Sequence, residues 1–215
     1  MKNTNRYIYA VFAIMMLCVI LLITSNSQPA GLRDKIEEGK PFRFVNDEEY
    51  RSQLTDFCVR DDRLYVLFGD VGVLKIYDQN GVYIDSYAFR KTKGASSLRT
   101  DGEYVWLIDP ELNYYIFSSG ELVDHVGYSD YGDYLAITDT FAPVEEQRKT
   151  DDTQYYLKLA SICRKNADGS SVQVVHRPFW LAFFQGAIPF ITIAFWMIVL
   201  VLLKILSGPK RNRRK

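Results

Sequence analysis

The sequence predicts an all-β domain of repeated antiparallel strands held between two transmembrane α-helices. Three observations predict it. Two uncharged apolar runs, Tyr7–Ile23 and Phe179–Leu203, bracket the chain. Apolar residues between them alternate at period 2, and a pattern of strands and turns returns after 39 residues.

The runs come first in the argument because they divide the charge. About 20 apolar residues at 1.5 Å rise cross a bilayer core of ~30 Å. All 26 acidic residues lie between the runs, with 18 of the 26 basic ones, so the middle carries 18 − 26 = −8 and the flanks +8. The chain has no basic excess to suggest nucleic acid. The tail Lys210–Lys215 holds five Lys or Arg, which by the positive-inside tendency places both ends in the cytoplasm and the middle outside it. The expected organisation is a cytoplasmic tail over 1–6, a transmembrane helix over 7–24, an extracytoplasmic β domain over 25–177, a second transmembrane helix over 178–206 and a basic cytoplasmic tail over 207–215, all in the plasma membrane. The first run also reads as a signal peptide with Ser25-Asn26-Ser27 as its cleavage site, but it is longer than the usual ~7 to 15 apolar residues, which favours a retained signal anchor. In the second helix, Pro178, Phe179 and Trp180 suit the headgroup boundary. Ala182 and Gly186 form a small-xxx-small pair, a candidate helix contact.

Within the domain, Leu64–Phe68, Val73–Asp78 and Val82–Phe89 are rich in Tyr, Val, Ile and Phe, as strands are. Asn80-Gly81 between the last two predicts a two-residue hairpin loop with both residues at positive φ. Arg60–Phe89 then returns as Arg99–Tyr128, so that at a constant spacing of 39 Asp62 matches Asp101, Tyr65 matches Tyr104, Val66 matches Val105, Gly81 matches Gly120 and Asp85 matches Asp124. A looser third copy starts at Lys149, with Asn166–Gly169 as its turn, after an insertion near Ser129–Gln147. Units of about 40 residues with four short strands are the signature of a propeller blade.

Over Thr55–Arg177 the units resemble the blades of NHL-type and related six-bladed β-propellers. The resemblance implies propeller-like antiparallel blades and no particular activity, since propellers bind proteins, carry enzyme sites or scaffold. It also leaves a shortfall: the domain supplies about three blades, with Pro41–Asn46 as an extra strand, where a closed ring takes 4 to 8. Two arrangements meet that shortfall. A second copy or another subunit completes the ring, or three sheets close into a self-contained β domain.

Chemistry-bearing patterns are sparse. His125 and His176 have no metal-ligand spacing around them, and neither a Gly-x-Ser-x-Gly elbow nor a phosphate loop occurs. No cofactor and no catalytic or metal residue is expected. Acidic pairs at Asp61 and Asp62, Asp130 and Asp133, and Asp151 and Asp152 read first as turn formers. Cys58 and Cys163 fall in strand-like segments of the outer domain, where a disulfide would tie the first unit to the third. Tyr128, Tyr131 and Tyr134, in an acidic Gly-containing stretch, are the candidate contact surface. The expected function is a protein-binding or assembly module, not an enzyme, with a protein partner or a second copy as its counterpart. The alternative is an extracytoplasmic enzyme or accessory subunit whose site gathers Asp61, Asp62, Asp101 or Asp151.

Overall fold

The computed structural model describes residues 41–45, 54–90, 96–127, 139–144, 146–150, 153–158 and 161–176, together with Met16, Lys35, Ile36, Ala136 and Trp196. The chain divides into two compact units, Met1–His176 and Arg177–Lys215. All the described strands lie in the first. Among the described residues no helix is long and apolar enough to cross a membrane; both predicted spans lie outside those residues, save Met16 and Trp196.

Among the described residues, thirteen strands form three antiparallel sheets. Sheet 1 is β2 (Asp56–Arg60), β3 (Arg63–Phe68), β4 (Val73–Asp78) and β5 (Tyr83–Ala88), with β1 (Phe42–Phe44) added against β5. Sheet 2 is the meander β6 (Ser97–Thr100), β7 (Val105–Ile108), β8 (Tyr114–Ser118) and β9 (Glu121–Val126). Sheet 3 is the meander β10 (Lys149–Thr150), β11 (Thr153–Lys158), β12 (Ser161–Lys165) and β13 (Ser171–Val175). The three copies read in the sequence are these three meanders, and Pro41–Asn46 does supply an extra strand, β1.

Each outermost hairpin carries a register shift: between Ile76 and Tyr77, between Ile116 and Phe117, and between Ile162 and Cys163. Such bulges increase local twist. They also provide a structural register, and it departs from the constant spacing of 39. Tyr65 lies opposite Ile76, while the residue opposite Ile116 is Trp106, not Tyr104. The cause is loop length. Tyr65 and Ile76 are 76 − 65 = 11 residues apart across the β3–β4 connection, whereas Trp106 and Ile116 are 116 − 106 = 10 apart across the β7–β8 connection. The β2–β3 turn itself, Asp61-Asp62, is left-handed at φ 51° and 57°. Gly81 and Gly120 do correspond as read, each at a turn with φ of 87° and 85°. Asn80 is not in the left-handed region, however: Asp78 accepts from Asn80 N–H and Val82 N–H through Oδ1, both 2.8 Å, and Gly81 N–H reaches Asp78 O at 3.0 Å. That carboxylate holds a wider loop in which Gly81 alone takes positive φ.

Chain order is not spatial order. Phe57, Val59, Leu64, Val66 and Val73 of sheet 1 share a core with Tyr155, Ile162 and Val174 of sheet 3. The alternate residues Cys58, Tyr65, Leu67, Leu74 and Ile76 share another with Leu98, Val105, Leu107, Tyr115 and Phe117 of sheet 2. Sheet 1 is therefore the middle layer, apolar on both faces, and each fully buried Leu, Val or Phe contributes about 1.5–3 kcal/mol. Two residues of the insertion contact sheet 2: Phe141 packs on Trp106 with ring centroids 5.8 Å apart, and Ala142 N–H donates to Thr100 O at 2.8 Å.

Candidate functional site

The innermost strand β2 runs beside both β6 and β10, and Asp56 at its start is where the three sheets meet. Its Oδ2 accepts from Leu98 N–H at 3.0 Å and from Arg99 Nη1 at 3.3 Å. Its Oδ1 accepts from Phe57 N–H at 2.9 Å and from Arg148 Nη2 at 3.3 Å. Arg148 also lies over the Phe57 ring, 4.5 Å from its centroid, an arrangement that favours a cation by its attraction to the π face. One carboxylate thus joins a residue of sheet 2 and the lead-in to sheet 3 to the first strand of sheet 1. A charge so placed is costly to strip of partners.

Two docked turns complete the scaffold. The Ser119-Gly120 turn of sheet 2 sits on sheet 1, where Gly120 N–H donates to Tyr65 Oη at 2.8 Å and Leu122 N–H to Tyr87 Oη at 3.4 Å. Burial pushes the Tyr65 phenol up to about 12, against a small opposing pull from the Gly120 N–H. The Gln79–Gly81 turn of sheet 1 sits in turn on sheet 3. Arg164 Nη1 donates to Gln79 O at 3.0 Å and to Asn80 Oδ1 at 3.1 Å, and a β-carbon on Gly81 would lie 1.7 Å from Val174 O. The equivalent Gly169 of sheet 3, at φ 81°, has open space around it.

The acidic candidates separate. Asp61 and Asp62 form the left-handed β2–β3 turn, with Asp61 3.2 Å from Arg60 Nε. Asp101 is some distance along the chain in another sheet's turn, where it accepts from Glu103 N–H, Tyr104 N–H and Trp106 Nε1 at 2.7–2.8 Å. Desolvation, the largest single influence on its carboxyl, raises the pKa, but these donors together outweigh it and the net shift is downward. Asp109, buried, closes the β7–β8 turn by accepting from Glu111 N–H, Asn113 N–H and Asn113 Nδ2. Asp130, Asp133, Asp151 and Asp152 lie outside the described residues, as do Tyr128, Tyr131, Tyr134, Ala182 and Gly186.

Cys58 and Cys163 are both buried free thiols, so the disulfide expected between them is not formed. The reason is layering. Cys58 points into the core shared with sheet 2, while sheet 3, with Cys163, packs on the opposite face of sheet 1. Burial raises the Cys58 thiol pKa far above its ordinary value. His125 stacks on Tyr115 with ring centroids 4.9 Å apart. Among the described residues no group of three His, Cys, Asp or Glu is placed to hold a metal ion.

Sequence reasoning missed Asp56, Arg99 and Arg148 as a set, because residues 43 and 92 positions apart carry no local spacing signal. It also missed the edge strands, whose exposure depends on which sheet packs where. β5 is covered by β1, whereas β9 and β13 are outer strands of their sheets, with no further strand beyond them among the described residues. No protein-family model matches the chain, and no curated protein is significantly similar to it.

Proposed function

We propose that the protein is an integral membrane protein of the plasma membrane, anchored by spans over 7–24 and 178–206, whose extracytoplasmic propeller-like β domain is a protein-binding or assembly module. The observation that carries this reading is the use of the polar side chains. Asp56, Asp78, Asp101 and Asp109 are spent on turns and on the junction of the sheets, while β9 and β13 are edge strands with no further strand beside them among the described residues. Unpaired strand edges are templates for another chain. The two apolar runs and the basic tail support the anchoring and its sidedness.

Membrane-impermeant amine labelling tests the placement. Lys158 and Lys165 are exposed on sheet 3, so intact cells are expected to label them; labelling only after lysis would put the domain on the cytoplasmic side. Native electrophoresis of solubilised membranes tests the assembly, with migration above that of a single 24.9 kDa chain plus detergent as the expected result.

A further inference from the structure

Six strands lie at sheet edges among the described residues: β1, β2, β6, β9, β10 and β13. Five of them contain a charged residue, namely Arg43, Asp56 with Arg60, Arg99, Glu121 with Asp124, and Lys149. Charge on an edge strand opposes pairing with another chain. β13, Ser-Val-Gln-Val-Val, has none. Its first three residues are exposed, Val172 to 47%, and they lie in regular register with β12 before the bulge. Of the nearest charges on β12 and in the preceding turn, Arg164, opposite Val172, is bound to the Gln79–Asn80 turn, Asp168 accepts from Ser170 N–H at 2.8 Å, and the exposed Lys165 stands opposite Ser171, one position away from Val172.

The structure also shows an equivalent edge already occupied. β5 holds the same place in sheet 1 as β13 in sheet 3, and β1 pairs with it antiparallel over Phe42–Phe44, a stretch of three residues.

We propose that β13 pairs antiparallel with β13 of a second copy of this chain, about a two-fold axis at Val172. This rests on the assembly reading above and names its surface. A two-fold axis sets only the residue on the axis against itself and doubles every charge along the shared edge; β9 would bring Glu121 and Asp124 of both copies to one seam, whereas β13 brings no charge. At this axis Val172 faces the same valine of the second copy, and Ser171 faces Gln173, a hydroxyl opposite an amide that both donates and accepts. So short a contact buries less than the ~1,600 Å² of a standard interface, and confinement of both copies to one membrane plane supplies the effective concentration that sustains it.

The test is cross-linking of the full chain in native membranes. Under mild oxidation, Val172→Cys is expected to give a species of twice 24.9 kDa at least tenfold more readily than Val123→Cys, an exposed control on β9. Equal cross-linking of the two variants, or none from Val172→Cys, overturns the pairing. Native electrophoresis of the unaltered chain separates the two failures: migration as a complex without the Val172→Cys cross-link leaves assembly through another surface, and migration as a single chain removes self-assembly altogether. In the same assay Val172→Lys is expected to lower the dimer fraction at least fivefold, by facing two ammonium groups across the axis.

Discussion

The two faces of sheet 1 use one device with different chemistry. On the sheet 2 side, an incoming turn is received by hydroxyls: Tyr65 and Tyr87 accept from Gly120 and Leu122 N–H. On the sheet 3 side, sheet 1 offers its own turn, and a guanidinium and bare backbone receive it: Arg164 binds Gln79 and Asn80, while Gly81 presses on the carbonyl of Val174. The closeness differs as well. A β-carbon on Gly120 would meet the end of the flexible Arg63 side chain at 2.8 Å, whereas one on Gly81 would meet main chain at 1.7 Å. A face that meets side chains can adjust, and a face that meets backbone cannot. At Gly81 the sheet 3 contact has no slack for a side chain.

Substitutions of the turn glycines probe that difference directly. Gly81→Ala is expected to have the largest effect, about 4 kcal/mol or more, because the clash with Val174 O adds to the cost of a left-handed alanine. The loss is read from the denaturant midpoint of the detergent-solubilised chain. Asp56→Ala comes next, at about 3 kcal/mol, since it leaves Arg99 and Arg148 without their shared carboxylate. Because Asp56 serves both interfaces, its removal is expected to loosen them together; amide exchange that accelerates on one side alone would show them to be independent. Gly120→Ala is smaller, about 2 kcal/mol, as Arg63 moves aside. Gly169→Ala, with the same φ and nothing to strike, isolates the backbone cost at about 1 kcal/mol. Equal losses at Gly81 and Gly169 would remove the proposed contrast.

Alkali separates the faces by titration. The Tyr65 and Tyr115 phenols are both pushed up to about 12, chiefly by burial, and both lie in the core shared with sheet 2. An unfolded tyrosine loses its proton near pH ~10, so the stability tied to each raised group is intact below that pH and is lost as pH climbs toward about 12. Each contributes a fall of about 1.4 kcal/mol per pH unit in that window. Tyr65→Phe is expected to reduce the slope by one proton's worth, measured from unfolding midpoints between pH ~9 and ~11.

Much of the sheet architecture was legible because it is local. Turn glycines, alternating strands and the recurrence after 39 residues mark three meanders, and Gly81 and Gly120 correspond as their spacing implies. The register between them was not legible. Spacing cannot reveal that the connections after β7 and after β8 are each one residue shorter than those after β3 and β4, so that the offset drifts from 106 − 65 = 41 through 116 − 76 = 40 to 120 − 81 = 39 along the unit. That is how Tyr104 was matched to Tyr65 in place of Trp106. The order of the sheets escaped for a related reason. The run Leu64–Phe68 is apolar at every position, the mark of a strand buried on both faces, yet nothing in it says which sheet lies on which side. The bridge expected between Cys58 and Cys163 failed on that same unknown.

The middle position of sheet 1 has a consequence for the making of the chain. Its last strand ends at Ala88, but the strand that finishes its second cover ends at Val175, 175 − 88 = 87 residues later. At ~5–20 residues per second, synthesis leaves one apolar face waiting for roughly 4–17 s after the sheet itself is complete. Through that interval the nascent protein presents Phe57, Leu64, Val66 and Val73 with no native partner yet in existence. The segment of the life cycle most open to aggregation, or to a chaperone, is therefore fixed by layer order and not by the stability of the finished domain.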